Sequence, residues 1–84
     1  MTDDTKRMAP QQRRALIIEA AYDLVINTDF GLHGLTFDDV SDNCAVPTSV
    51  ATVRRYFHTM ADLQRAVVVR DRSLQDQAIR LGLM

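Results

Sequence analysis

The stretch from Thr48 to His58, TSVATVRRYFH, carries the densest set of side chains in the chain able to recognise another molecule. Arg54 and Arg55 supply two guanidinium groups with N–H donors in a fixed fork, set among the hydroxyls of Thr48, Ser49, Thr52 and Tyr56 and the imidazole of His58. That chemistry suits an anionic polymer better than a reaction. A guanidinium reads guanine through its paired O6 and N7 acceptors, and a methyl packs against the thymine methyl. Hydroxyls and further cations bind phosphates, which position a protein without specifying a sequence. Arg55, Ala51, Thr52 and Thr48 are therefore the candidate base contacts. Thr36, Ser49, Arg54, Tyr56 and His58 are candidate phosphate contacts, with Lys6 and Arg7 in an N-terminal arm reaching phosphates or a minor groove beside them. Cys44, His33 and His58 are isolated from one another, and the sequence holds no phosphate-cradling glycine loop and no cluster at metal-ligand spacing. The expectation is no catalysis, no metal and no cofactor.

These residues need a helix to present them. At about 100° per residue, Val50, Val53 and Phe57 fall on one side of a helix over 49–58. Thr48, Ala51, Thr52 and Arg55 fall opposite, with Arg54 and His58 at one margin and Tyr56 at the other. A plain solvated face on a small helical domain fits that pattern equally well. The preceding segment shifts the balance. Thr36 stands three residues before Asp39, a capping pattern, and Phe37, Val40 and Cys44 then recur at helical spacing. Pro47 cannot donate a backbone hydrogen bond and biases Val46 away from helix, so the first of the two helices ends near 44–45. Thr48 or Ser49 can cap the next. Two short amphipathic helices joined by a proline-containing turn are a helix-turn-helix signal.

The flanking segments supply its support. Pro10 suits a first helical turn, and Leu16, Ile17, Ala20, Ala21, Leu24 and Val25 form the stripe of an amphipathic helix over 10–27, with Tyr22 at its edge. Residues 27–35 read as a loop with Phe30 and Leu32 tucked beneath it and His33 at its surface. Thr59 and Asp62 repeat the cap pattern and open a fourth helix that should run to the end of the chain. Its stripe is Met60, Leu63, Val67, Leu74, Ala78 and Leu81, interrupted by Arg70 and Asp71, while Val68 and Ile79 lie on another side. The expected fold is thus all-α: a small four-helix domain, with 1–9 a flexible arm, 10–66 the helix-turn-helix domain and 67–84 a C-terminal helix extension that meets a partner, most simply a second copy.

The ordered set resembles the DNA-binding domain of the tetracycline-repressor (TetR) family of bacterial transcription regulators, a homeodomain-like fold. Ala20-Ala21, Gly31, Thr36, the run Ser49-Val50-Ala51-Thr52-Val53-Arg54-Arg55-Tyr56-Phe57 and Leu63 match in order, over roughly residues 12–70. The turn from Cys44 to Ser49 and the segment between Ala20 and Gly31 look longer than the family's. Arg54 stands where a phosphate-contacting tyrosine is common, and Met60 where a lysine is common. The resemblance implies a sequence-specific regulator, a repressor in most such cases, that binds double-stranded DNA as a homodimer. In the family the fourth helix leads into a larger effector-binding domain. The chain stops at Met84, where that domain would begin, so the expectation is either an excised domain or a natural minimal protein whose 67–84 segment makes its own contacts; the start at Met1 without a tag-like segment leans toward the second, and no effector pocket is expected in these residues.

Bulk properties are compatible with this reading. At 84 residues the chain is near the lower limit for a comfortable single core, and 46% hydrophobic content is too high for a disordered tail. Ten Lys and Arg against eleven Asp and Glu give a formal charge of −1, so any basic character is local. The single Cys44 cannot form an internal disulfide and reads as a buried small hydrophobe. No segment is apolar enough to span a bilayer and none reads as a signal peptide, which suggests the cytoplasm of a bacterial or phage-type system, with the protein on the nucleoid when bound. The competing expectation is a TetR-like scaffold used as a protein-interaction module. It is fed by the acidic balance, by Met60 and by the apolar tail.

Overall fold

A computed structural model of the protein describes residues 8–83. Those residues form five α-helices and two 3-10 turns, and no strand occurs among them. Helix α1 (Pro10–Asn27) starts at the proline, whose missing N–H is no loss in a first turn. The free N–H of Ala9 donates to Gln12 Oε1 at 3.0 Å. The helix buries Ile17, Ala20, Ala21 and Val25 and packs against both α2 (Phe37–Asn43) and α4 (Met60–Arg70).

Helices α2 and α3 (Val50–Tyr56) are too short to persist alone in water, so caps and core must hold them. Thr36 Oγ1 accepts from Asp39 N at 3.1 Å, and Ser49 Oγ accepts from Thr52 N at 3.1 Å. Thr59 Oγ1 does the same for α4, accepting from Asp62 N at 3.2 Å. Each of these satisfies an N–H that a helix start leaves open. Val40 from α2, Val53 and Phe57 from α3, and Leu63 and Val67 from α4 meet Ile17 and Ala21 in one core. Asn43 then ties α2 to α1, donating to Ala20 O at 2.9 Å and Asp23 Oδ2 at 3.1 Å.

The loop after α1 turns at Gly31, whose φ of 63° lies in the left-handed region open to glycine. It leads into a 3-10 turn, Leu32–Gly34, that buries Leu32 completely. Gly34 also admits the Phe30 ring, which would overlap any Cβ there.

The C-terminal segment departs from the expected continuous helix. Helix α4 ends at Arg70, Asp71 is extended, a 3-10 turn spans Arg72–Leu74, and a separate helix α5 (Gln75–Arg80) folds back onto the 31–34 turn. Asp71 causes the break. One carboxylate oxygen accepts from Ser73 N at 3.0 Å and the other from Tyr22 Oη–H at 2.8 Å, so the side chain caps the next turn while tied to α1. The return is held at Leu32. Its N–H donates to Gln77 Oε1 at 2.8 Å, and its carbonyl accepts from Gln64 Nε2 at 3.0 Å. Arg65 Nε reaches Leu83 O at 3.1 Å. Leu74 and Ala78 thereby enter the same core as the rest, and Val68, expected on a second outward side, is 1% exposed.

Candidate nucleic-acid interface

Helix α3 is built so that its inner side is spent on the core. Val53 and Phe57 are buried and Val50 is half-buried, which turns Ala51, Arg54 and Arg55 outward as exposed residues, with Thr52 and Tyr56 half-buried at the edges. Arg55 makes no hydrogen bond, ion pair or aromatic stack among the described residues. An unpaired guanidinium on a rigid helix keeps its full donor set for an external acceptor. Arg54 is different. Its guanidinium lies over the Phe37 ring of α2 at 5.2 Å, a cation–π contact that fixes the cation beside the helix pair while leaving its N–H edge to solvent. His58 follows the helix, exposed.

The hydroxyls divide into two groups. Thr36 and Ser49 are exposed and serve as caps, with Ser49 Oγ also 3.0 Å from Thr52 Oγ1. Thr48 was expected among the base contacts and must be corrected. It is buried, its hydroxyl donates to Val46 O at 2.8 Å and accepts from Arg13 Nη1 at 2.9 Å, and its carbonyl accepts from Ser41 Oγ. Burial keeps Thr48 away from a groove, and of the two adjacent hydroxyls it is Ser49 that caps α3. Within the turn Thr48 alone is buried, while Ala45 and Pro47 are exposed. Lys6 and Arg7 lie outside the described residues.

Two cations from α1 belong to this surface although the sequence reading did not assign them to it. Arg14 lies over the Phe57 ring at 5.1 Å, next to the C-terminal end of α3, and Arg13 reaches the other end at Thr48. The available signal was their position at the start of α1, in line with its apolar stripe, Arg13 three and four residues before Leu16 and Ile17. Which element a cation there meets depends on how α1 crosses α3, and spacing along one helix does not encode that.

Cys44, expected to be buried, is half-buried, with its thiol directed at Val40 O at 3.3 Å. Burial pushes its pKa up, outweighing the nearby Arg13 charge, so the thiol is held protonated and poorly nucleophilic. No group of three or more His, Cys, Asp or Glu side chains is placed to hold a metal ion among the described residues. Nor is any described helix long and apolar enough to cross a membrane.

Fold and surface together define a small all-helical domain in which the short helices α2 and α3 are joined by a turn and α3 carries a small, basic outward face. No family model matches the chain, and no curated protein and no solved structure matches it either.

Proposed function

We propose that the protein is a sequence-specific DNA-binding transcription regulator of the TetR-like helix-turn-helix type. In this reading α3 lies in the major groove of double-stranded DNA and α2 crosses the backbone. The observation that carries it is Arg55: exposed, unpaired among the described residues, and centred on a face with Ala51 beside it and core behind it. Arg55 reads a guanine, Ala51 and the Thr52 methyl let the helix sit deep, and Thr36, Ser49, Arg54, Tyr56 and His58 hold phosphates. The protein acts as a homodimer in the cytoplasm and represses by occupying its site. Selection of bound sequences from random duplex DNA, followed by mobility shift at rising salt, tests this. A recovered motif whose binding weakens steeply with ionic strength is the expected result, and failure to enrich any sequence overturns it.

A second reading, a scaffold that binds another regulator or the transcription machinery, draws support from exposed apolar residues on the side of α4 and α5, Val69 at 66% and Ile79 at 54% exposure. An apolar protein interface lacks the salt slope, so the same titration separates the two. The outward Arg54 and Arg55 favour the first.

A further inference from the structure

The α2–α3 turn is not held by its own residues alone. Arg13, in the first turn of α1, donates from Nη1 to Thr48 Oγ1 at 2.9 Å and lies 3.5 Å from the Pro47 carbonyl. These two residues immediately precede the Ser49 cap. Thr48 is 9% exposed, and its remaining groups are taken by Val46 O within the turn and by Ser41 Oγ from α2. The start of α3 is therefore pinned from α1 and from α2 through one buried threonine. A guanidinium on a neutral hydroxyl and carbonyl is a charge-assisted contact, stronger than a neutral one, and it spans elements far apart in the chain. The turn carries a proline and is longer than two hydrogen-bonded helices require, so without the clamp its orientation has no second support from α1.

We propose that Arg13 is the positioning residue of the recognition face: it acts through Thr48 to fix the angle at which α3 presents Arg55, rather than by touching the nucleic acid. The consequence for binding rests on the DNA-binding reading, while the clamp itself does not. A phosphate ligand and a positioning residue behave differently under test. Loss of a phosphate contact lowers the salt slope by about one and weakens all sequences alike. Loss of a positioning contact leaves the slope and blurs the preference for one sequence.

The experiment compares Arg13→Ala, Thr48→Val and the double substitution, well below their unfolding midpoints. It reads binding to the selected duplex and to a one-base variant across a salt series, and amide exchange at Thr52 and Val53 in the free protein. Each single change is expected to weaken selected binding about tenfold, the worth of one hydrogen bond to a charged group, and to narrow the gap to the variant duplex with an unchanged slope. The double change should be no worse than Thr48→Val alone, since that substitution already removes the Arg13 contact along with the bond to Val46 O, and the two amides should exchange faster in all three. A slope reduced by about one together with additive losses makes Arg13 a phosphate ligand and overturns the proposal. Unchanged binding together with unchanged exchange overturns it too. Should the parent protein bind no duplex, the DNA reading falls, while amide exchange still decides whether Arg13 sets the start of α3.

Discussion

At the scale of single residues, Arg55 and Arg54 differ by what each already touches. Arg55 has no partner among the described residues, so Arg55→Ala removes little from the folded protein and a great deal from a base contact. It should cost about 1–3 kcal/mol on the preferred site and relax one base position. Titration against the selected duplex and its single-base variants checks this, and parental affinity in the variant removes Arg55 from the reading face. Arg54 stacks over Phe37, so Arg54→Ala should lower the salt slope by about one with no change in preferred sequence, and cost at most ~1 kcal/mol in stability from the lost stack. Thr59 separates stability from recognition. It caps α4 and is not among the candidate contacts, so Thr59→Ala should lower unfolding stability by ~1 kcal/mol and leave the selected motif as it was. The hydroxyl caps of α2 and α4 were legible from sequence, and that of α3 as a choice between Thr48 and Ser49, because such a cap needs only a hydroxyl placed just before an apolar periodicity. The role of Thr48 was not. Two adjacent hydroxyls can each cap α3, and what sends one inward is Arg13 and Ser41, contributed by other helices.

At the scale of elements, α1 was readable to its ends, since Pro10 and the apolar stripe both mark it. The break after Arg70 was not, because Leu63, Val67, Leu74 and Ala78 keep a helical spacing through it and are buried whether the chain continues or folds back. The deciding interactions are the Asp71 cap on Ser73 and the bond from Tyr22, together with Gln64 and Gln77 closing on the Leu32 backbone. Polar clamps between distant segments leave no periodic trace. They do leave a pH signature. Hydrogen bonds from Ser73 and then Tyr22 hold Asp71 below its ordinary 3.8. The carboxylate therefore favours the folded state above pH 3.8, and that contribution is lost as pH falls through the lowered value. The bond to Asp71, then burial, raises Tyr22 above its ordinary 10.0. Its contribution is present below pH 10.0 and is lost as pH climbs through the raised value. Thermal unfolding across pH should thus show losses at both ends. Tyr22→Phe should flatten the alkaline loss and shrink the acid one, and an unaltered alkaline limb would show that this bond does not hold the break.

At the scale of the whole molecule, a net charge of −1 provides no general attraction to DNA, so in the proposed reading affinity comes from local placement. Arg54 and Arg55 lie on α3 and Arg14 beside its C-terminal end, two of the three over aromatic rings, while Asp38 and Asp39 sit in the first turn of α2, where the helix dipole favours them. In the proposed DNA-binding reading, such an arrangement discriminates against loose adhesion and relies on a matched site. A short α3 covers few base pairs, and doubling the site through a two-fold dimer is the direct way to gain specificity. Because the segment after Arg70 folds back, Leu74 and Ala78 are buried and unavailable for self-association, and among the described C-terminal residues the exposed large apolar ones are Ile79 and Leu81, at 54% and 40% exposure. Ile79→Glu with Leu81→Glu changes only that outward side. The parent should sediment with the mass of two chains and footprint two half-sites related by two-fold symmetry. The double variant should remain folded, sediment as one chain, and protect a single half-site with lower affinity. A parent of one-chain mass, or an unrepeated half-site in its footprint, removes the dimer; a variant that still pairs places the contact elsewhere, with exposed Val69 on α4 the next residue to change.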